Sequence, residues 1–582
     1  MILQALVKHY EDLTELGKVP KLGWSREKIS YALCISTDGE LEQVICLRKP
    51  EARGKKEVFV PAEIVLPAAV KRAVGIVPNY LWDNASYLLG IDNKGKPERS
   101  VKCFEASREL HLSRLENVPS DAAQAVVRFF QKWKPETARE HPALQEYLED
   151  ILSGMGGNLL FRCNQRNVHE DPLVAQTWHG VSGVGENAER IACLVTGRED
   201  ALAVLHPAIK GIPGAQSSGA SLVSFNKSAF CSYGHDEQQG RNAPTGQYAA
   251  YAYGEALKYL LSDRQHTFRI GDTTVLCWAE RAEQAYQNLF MNLLGTGGGL
   301  DTEDVAAVVS GLLQGKPQAF DEAMVDPERP FYILGLSPNA ARLSVRFFYR
   351  NTFGNFLKNV AKHQERMEII KPDFDRFDTV PLWAMLEETV NPNSRDKKAS
   401  PQMAGDVLRA ILTNTRYPAT LLNALVLRIR ADRVINRTRA AMIKAYYLQN
   451  KHPDVPEKEV LTVSLNPEST SIPYQLGRLF YVLENIQYKA NDGKEINSTI
   501  KDKYFSSASS TPATVFPTLV NLAQKHCRKL DAGTRIAVNR QMQEIMSHLG
   551  TSYPARLSLP EQGAFQIGYY HQMQDHFGRI SK

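Results

Sequence analysis

The side chains best suited to grip a polar polymer lie between residues 209 and 261, where IKGIPGAQSSGASLVSFNKSAFCSYG leads through EQQGRNAPTG into QYAAYAYGEALKYLL. Glycines at positions 211, 214 and 219 leave the backbone free to turn sharply or to approach another surface closely. Neutral hydrogen-bond donors and acceptors are supplied by Gln216, Ser217, Ser218, Asn226 and Asn242. The stretch shows no evident catalytic base, nucleophile or metal cage, so it predicts a binding loop.

A second group of versatile side chains falls in KRAVGIVPNYLWDNASYLLG, residues 71–90. Tyr80 and Trp82 offer stacking surfaces, while Asn79 and Asn84 can donate to and accept from base edges or phosphates. A structural interpretation is equally good, because asparagine caps helices and turns and aromatic rings pack in cores. The sequence leaves both interpretations open.

A cluster of basic residues occupies a strongly helical pattern between positions 428 and 444, against one acid, Asp432. Its members are Arg428, Arg430, Arg433, Arg437, Arg439 and Lys444. Arginine donates bidentately to phosphate oxygens, and neutralising phosphates releases condensed counterions, so such a helix could follow a nucleic-acid backbone. The alternative is a solvated helix face, which is the commoner reason for a run of charge.

Composition limits the class of protein. The chain has 582 residues, 43% of them hydrophobic, which is enough for several packed domains, and its net charge is only +5. No apolar run approaches the roughly twenty residues of a membrane span, and the first residues do not resemble a secretory leader, so a cytoplasmic protein with no membrane contact is expected. The eight cysteines are scattered without metal spacing, and neither a metal site nor a cofactor is predicted.

The pattern of apolar residues predicts an α+β protein with mixed N-terminal α/β portions and an all-α C-terminal helical bundle. An amphipathic helix opens the chain, and a hairpin is expected about Asp38-Gly39. RIACLVTG and TTVLCWAE are candidate strands, and the segment containing Arg342, Arg346 and Arg350 is expected to be a core strand with an exposed basic face. The expected domains are 1–157, 158–390 and 403–582, with a linker at 391–402.

The common signatures of enzymes are missing from the sequence. It has no G-x-S-x-G elbow, no H-E-x-x-H pair and no kinase set, and the glycine-rich GTGGGLDTEDV lacks the lysine of a phosphate-binding loop. The residues therefore favour a nucleic-acid-binding scaffold over an enzyme.

Separated blocks of the chain resemble a known family. MILQALVKHYEDL, GWSREKISYALCISTDGEL, GIVPNYLWDNASYLLG, the Gly/Ser-rich stretch and LRIRADRVINRTRAAMIKAYYLQN are similar, in this order, to the large subunit of type I-C CRISPR effector complexes, often called Cascade. The resemblance covers most of the chain and weakens between about residues 295 and 401. It implies a prokaryotic, cytoplasmic ribonucleoprotein in which this subunit is not catalytic.

The resemblance also implies partners and a mechanism. The partners are the crRNA, the backbone and guide-end subunits, target double-stranded DNA and a separate helicase-nuclease. The subunit would recognise the protospacer-adjacent motif (PAM), help to separate the strands for R-loop formation, hold the displaced strand and recruit the nuclease. A nucleic-acid-cleaving enzyme, or a scaffold that binds the crRNA handle without reading a DNA motif, remain the alternatives.

Within these blocks, side-chain chemistry suggests individual roles. PAM and duplex contact is expected from Lys71, Arg72, Asn79, Tyr80 and Asn84. Contact with the backbone or the displaced strand is expected from Gln216, Ser217, Ser218, Asn226, Lys227 and Asn242. Phosphate contact is expected from Arg428, Arg433 and Arg437. The family can also make a small helical subunit by internal translation, for which Met442 is a candidate start, although a core methionine is the alternative.

Overall fold

The computed structural model describes residues 2–53, 56–70, 75–92, 97–153, 157–178, 189–225, 227–232, 234–235, 239–263, 266–295, 302–375, 377–395, 398–491 and 498–580. The chain divides into two compact units. The first unit comprises Met1–Pro207 and Phe225–Ala256, and the second comprises Ala208–Ser224 and Leu257–Lys582.

The first unit is mixed α/β. Its helices are α1 (Ile2–Glu15), α2 (Ala85–Leu88), α3 (Pro97–Leu115), α4 (Asp121–Lys132), α5 (Leu148–Leu152), α6 (Pro172–Gln176) and α7 (Gln247–Ser262), of which α7 continues into the second unit from Leu257. Its strands are β1 (Trp24–Ile35), β2 (Leu41–Cys46), β3 (Lys49–Arg53), β4 (Lys56–Val60), β5 (Ala62–Pro67), β6 (Trp82–Asp83), β7 (Asn158–Cys163), β8 (Arg166–Asn167), β9 (Arg190–Ala192) and β10 (Glu199–Ala201).

Strand β1 organises the sheet of this unit. It pairs antiparallel with β2 and β5 and parallel with β7, which in turn pairs with β6 and β8. The turn between β1 and β2 contains Gly39 at φ +81°, where a Cβ would lie 2.4 Å from the backbone nitrogen of Phe129 in α4. The hairpin predicted about Asp38-Gly39 is therefore present, and only glycine fits where α4 packs on its turn.

The second unit combines one sheet with most of the helices. Its strands are β11 (Ala208–Ile209), β12 (Ala220–Ser221), β13 (Thr267–Ile270), β14 (Thr273–Ala279), β15 (Gln318–Phe320), β16 (Ala323–Val325), β17 (Pro330–Asn339) and β18 (Arg342–Thr352). Its helices are α8 (Gln284–Leu293), α9 (Thr302–Leu313), α10 (Phe353–Met367), α11 (Leu382–Glu387), α12 (Pro401–Thr413), α13 (Ala419–Asp432), α14 (Arg437–Asn450), α15 (Glu457–Val460), α16 (Ile472–Lys489), α17 (Ile500–Ala508), α18 (Pro512–Cys527), α19 (Ala532–Ser547) and α20 (Leu559–Ile580).

The sheet of the second unit has the strand order β11-β12-β18-β17-β14-β13. β17 and β18 form a long antiparallel hairpin, and a bulge between Gly335 and Leu336 leaves Arg346 without an opposite residue. TTVLCWAE forms β14 as predicted, whereas only the first part of RIACLVTG is a strand, β9. The predicted α+β class, with mixed α/β content first and helices last, is confirmed.

The two units group the chain differently from the domains expected from sequence. Strand β7 begins at Asn158 and pairs with β1, so the expected boundary after residue 157 divides a single sheet. One apolar core also runs from β13, β14 and β17 through α10 and α12 into α20. The last helices therefore share a core with the second sheet.

Between α11 and α12, residues 389–395 and 398–400 carry no helix or strand. None of the described helices is long and apolar enough to cross a membrane.

Two glycines bring α16 and α20 into unusually close contact. A Cβ on Gly477 would lie 1.9 Å from the carbonyl oxygen of Phe565, and one on Gly568 would lie 2.1 Å from that of Tyr474. Both obstacles are backbone atoms, which cannot rotate away as a side chain could. The packing of these helices thus depends on glycine, which has no Cβ, at both positions.

Gly477→Ala is expected to lower the free energy of unfolding by about 3 kcal/mol, because the added methyl group forces the two helices apart. Denaturant titration of the purified chain measures the change. Gly578→Ala is the matched control on α20, since a Cβ there meets no atom within 4 Å. That control should be neutral or slightly stabilising through better helix propensity. Equal stability of the two variants would contradict the packing argument.

Candidate nucleic-acid interface

The Gly/Ser loop, residues 210–219, connects β11 to β12 in the second unit. These two short strands pair antiparallel, and Gly219 adopts φ +107° with its Cα so close to Ala208 that a Cβ would lie 2.9 Å from the Cβ of that residue. The loop is thus closed at its base by a contact that a larger residue would obstruct. A closed base limits how far the loop can move while its tip remains accessible.

Backbone hydrogen bonds fasten this loop to the turn between β17 and β18. The N–H of Gln216 donates to the carbonyl of Ala340 at 3.2 Å, and the N–H of Ser221 donates to the carbonyl of Ala341 at 2.9 Å. Gln216, Ser217 and Ser218 are exposed, and their side chains have no hydrogen-bond partner within the described part of the chain. The fold therefore holds the loop through its backbone and leaves its polar side chains to solvent.

A basic strand continues from the point where the loop is attached. β18 pairs with β17 along its length, but with β12 only where Ser221 lies opposite Arg342. Beyond that point, none of the described strands covers its other edge. Arg346 is 52% exposed beside Asp272, and the exposed Arg350 lies 5.8 Å from the ring centre of Tyr332. The start of β18 therefore lies beside the loop, and the exposed arginines follow along the strand.

Lys227 and Asn242 belong to the first unit. Lys227 is exposed. The side-chain oxygen of Asn242 accepts from the N–H of Ser232 at 2.7 Å, and its amide nitrogen donates to the carbonyl of His235 at 3.1 Å. Asn242 therefore stabilises this turn through both the oxygen and the nitrogen of its side-chain amide. Asn226 lies outside the described residues.

Of the residues assigned to PAM contact, Lys71 and Arg72 lie outside the described residues, and the other members are held inside the first unit. The ring of Tyr80 is 1% exposed and stacks between His111 and Trp178 at centroid distances of 5.4 and 5.3 Å. Burial raises the pKa of its phenol to about 12. A ring enclosed in this way has no face open to a base.

The two asparagines nearby make local contacts of the kind that asparagine makes in turns and caps. The side-chain oxygen of the buried Asn79 accepts from the N–H of Val70 at 3.0 Å. This hydrogen bond joins the two ends of the segment 71–78. Asn84 caps α2, where its side-chain oxygen accepts from the N–H of Ser86 at 3.0 Å. Asn79 thus links Val70 to the chain that leads into α2, and Asn84 fixes the start of that helix.

The basic cluster on α13 and α14 is largely an internal ion-pair network. Arg437 is 8% exposed, contacts Asp375 at 2.9 Å and donates to the backbone carbonyls of Phe377 and Asp378. Burial disfavours the charge on Asp375, but the Arg437 guanidinium and a neighbouring N–H outweigh it and keep the pKa of Asp375 below its usual value. The carboxylate that pairs with Arg437 lies 62 residues earlier in the sequence.

Other members of the cluster divide between internal and exposed positions. Arg439, 7% exposed, bridges Glu388 at 2.6 Å and Asp432 at 2.9 Å, and Arg428 also pairs with Asp432. Arg433 ends α13 at φ +58° and is 44% exposed beside Asp502 at 3.4 Å. Of the arginines assigned to phosphate contact, Arg433 is thus the one whose guanidinium reaches solvent most fully.

The sequence assigned Arg346 and Arg350 to the exposed basic face of a strand, and the structure places them on β18, whose first residue, Arg342, lies opposite Ser221. The expectation of an exposed basic face on this strand was the available signal. The missing information was that β18 begins beside the loop, which a sequence does not show because β12 and β18 are separated by β13 to β17. Among the described residues, no group of three or more His, Cys, Asp or Glu side chains could hold a metal ion.

A comparison with protein-family models matches residues 6–577 to the CRISPR-associated protein family Cas_Csd1. The chain belongs to the Csd1 family. Csd1 proteins are the large subunits of type I-C CRISPR effector complexes, so the resemblance found in the sequence is confirmed, and the match extends across the stretch where that resemblance weakens. Csd1 is a family of Cascade subunits and not a known family of enzymes. A search of curated proteins finds no match.

For this Csd1 protein, Arg437→Gln is expected to lower the free energy of unfolding by about 3 kcal/mol, because it leaves Asp375 and two backbone carbonyls without their cationic donor. Thermal or denaturant unfolding measures the loss. Arg430→Gln is the control, since Arg430 is exposed and its side chain makes no hydrogen bond or ion pair with a described residue. Its effect should stay within about 0.5 kcal/mol. An unchanged stability in Arg437→Gln would show that the network is not structural.

Proposed function

We propose that this large subunit recognises the PAM in double-stranded DNA, promotes strand separation and R-loop formation, holds the displaced strand, and recruits the separate helicase-nuclease. The observation that best supports the proposal is the surface formed by the Gly/Ser loop and β18. There, amide and hydroxyl groups that have no partner among the described residues lie on a fixed backbone next to the start of a strand that carries exposed arginines.

The chemistry of this surface suits a nucleic-acid strand. Gln216 can donate and accept at once, and Ser217 and Ser218 can serve either role, as contacts with sugar, phosphate or base edges require. Arg346 and Arg350 add cations that attract phosphates and release counterions. In this proposal the surface holds the displaced strand by its backbone, without demanding a particular sequence.

The PAM contact is proposed for the segment that begins with Lys71 and Arg72. Asn79 joins the ends of this segment through Val70, while Tyr80 and Asn84 pack or cap beside it. We therefore assign these three residues to positioning the segment and the two cations to the DNA. Lys227 and the exposed Arg433 retain a proposed phosphate contact, whereas Asn242, Arg428 and Arg437 act through the backbone and carboxylates that they hold.

In this proposal the crRNA and the protein contribute differently to target recognition. Base pairing between crRNA and target supplies sequence recognition, so the protein needs to read only a short motif and the backbone. Cleavage is assigned to the helicase-nuclease. The backbone and guide-end subunits, together with the crRNA, complete the ribonucleoprotein.

The C-terminal helices would form the small subunit that internal translation from Met442 would produce. Met442 is buried in α14, five residues after that helix begins. A product starting there would omit Arg437 and Arg439 with their ion pairs, yet would contain α16 to α20, which pack on one another around α16. We propose this bundle as the folded part of such a product.

Expression of the intact message should therefore yield, beside the full chain, a small product whose mass corresponds to a start near Met442. Intact-mass spectrometry of the purified complex measures it. A message in which the codon for Met442 encodes leucine is expected to lose the small product and keep the full chain. If no fragment begins near Met442, this start is excluded.

The loop proposal predicts a change in target binding by the assembled complex. Combined Gln216→Ala, Ser217→Ala and Ser218→Ala should weaken binding of PAM-containing duplex by about tenfold, because several hydrogen bonds of about 1 kcal/mol are lost together. Arg346→Gln with Arg350→Gln should also reduce the slope of log affinity against log salt by about two. Filter binding across a salt series measures both effects.

Two controls separate local chemistry from general damage. Gln543→Ala with Ser547→Ala changes the same residue types at exposed positions of α19, and Arg108→Gln removes a surface arginine that pairs with Glu105. Both should bind target like wild type. Wild-type affinity in the loop variant would refute the displaced-strand surface.

Hydrolysis of DNA by the isolated subunit with a divalent metal would favour the alternative that the protein is a nucleic-acid-cleaving enzyme. Target binding that does not depend on the DNA motif would favour the alternative of a scaffold that binds the crRNA handle.

A further inference from the structure

A polar cleft in the first unit lies at the edge of the sheet where β1 and β7 both end. It has a volume of about 660 Å³, within the range of small-ligand sites. β1 and β7 are parallel neighbours, so their carboxyl ends meet at the same edge of the sheet. In open α/β sheets, ligands bind preferentially outside such carboxyl ends.

The floor of the cleft is a row of side chains across three strands. Cys34 of β1 lies opposite Gln43 of β2 on one side and opposite Arg162 of β7 on the other. Residues directly opposite one another in a sheet point to the same face, so the amide and the guanidinium emerge on one face with Cys34 between them. All three line the cleft.

Arg162 is a positioned cation that has no carboxylate partner among the residues that the structure describes. Its Nε and Nη2 donate to the carbonyl of Gln165 at 3.0 and 2.6 Å, which fixes the plane of the guanidinium. The remaining N–H groups have no acceptor within the described part of the chain. This contrasts with Arg437, whose charge is matched by Asp375. An anion bound in the cleft would complete the hydrogen bonding of Arg162.

The rim of the cleft adds groups that can read a base. Asn164 and Gln165 are exposed and follow β7 directly, and Thr37 lies on the opposite side. The rim at Thr37 is held by Arg128, which donates to its carbonyl at 2.7 Å. Glu42 is the carboxylate in the lining, and it disfavours a phosphate on its own side while offering an acceptor to an exocyclic amino group.

We propose that this cleft binds one nucleotide of a single-stranded nucleic acid, with its phosphate on Arg162 and the edge of an amino-bearing base on Gln43, Asn164 and Glu42. The shared chemistry is that of a nucleotide, which either the crRNA or a displaced DNA strand could supply. The site is distinct from the surface of the Gly/Ser loop and β18, so either proposal can fail alone.

The test uses the purified full chain and fluorescein-labelled oligocytidylate of about six nucleotides, as RNA and as DNA, in anisotropy titrations. Arg162→Gln should weaken binding of the preferred strand by about tenfold, since one charge-assisted contact is lost. Arg26→Gln is the matched control, because Arg26 lies in the same sheet and its guanidinium likewise donates to a backbone carbonyl, that of Lys18. It should bind within about twofold of wild type.

Photo-crosslinking of the unmutated chain keeps the proposal testable if Arg162→Gln fails to fold. Strands containing 5-iodocytidine or its deoxy form should crosslink to peptides that contain residues 34–45 or 162–165. Preference for RNA would identify the guide as the source, and equal or stronger binding of DNA would identify the displaced strand. Unchanged affinity in Arg162→Gln, an equal loss in Arg26→Gln, or crosslinks confined to other segments would overturn the proposal. Target-duplex binding by the assembled complex, measured in parallel, reports separately on the Gly/Ser loop.

Discussion

Two backbone hydrogen bonds, from Gln216 to Ala340 and from Ser221 to Ala341, determine what the Gly/Ser loop can do. Because the loop is fastened by main-chain groups, its side chains take no part in holding it. A loop held by its own glutamine and serines would have no donors left for a ligand. The small residues at its base allow this arrangement, since Gly219 approaches Ala208 more closely than a residue with a Cβ could. The proposed role in holding a strand depends on this separation between support and recognition.

The distinction between residues that support the chain and residues that can contact a ligand also applies to Asn79 and Tyr80. Their polar atoms and rings are directed inwards, towards Val70, Thr177 and the stacked rings of His111 and Trp178. Buried polar groups need partners, and here each partner is another part of the first unit. Substitution of such residues would change the local geometry of the first unit before it changed any direct contact with a ligand.

Much of the fold could be predicted from the sequence, because it follows from local signals. The amphipathic pattern at the start gives α1, the Asp38-Gly39 pair gives the β1–β2 hairpin, and the apolar run after Gly271 gives β14. The grouping of elements could not be predicted, since the pairing of β7 with β1 and the core shared by β17 and α20 join segments far apart in the chain. Asn84 could not be assigned from sequence either, because asparagine is a common residue both at helix caps and in contacts with nucleic-acid bases, and the structure shows a cap.

Arginine shows most clearly why site residues are harder to predict than folds. Arg437 pairs with Asp375, 62 positions earlier, and is buried; Arg346 pairs with Asp272 and stays half exposed; Arg162, within the described part of the chain, donates to a backbone carbonyl and to no carboxylate. Their chemistry is the same, and burial together with pairing underlies the role proposed for each: a buried, paired guanidinium stabilises the fold, whereas one that stays open to solvent can attract a phosphate. A net charge of +5 spread over 582 residues says little about either role. The local pairing of each cation decides where a nucleic acid can bind.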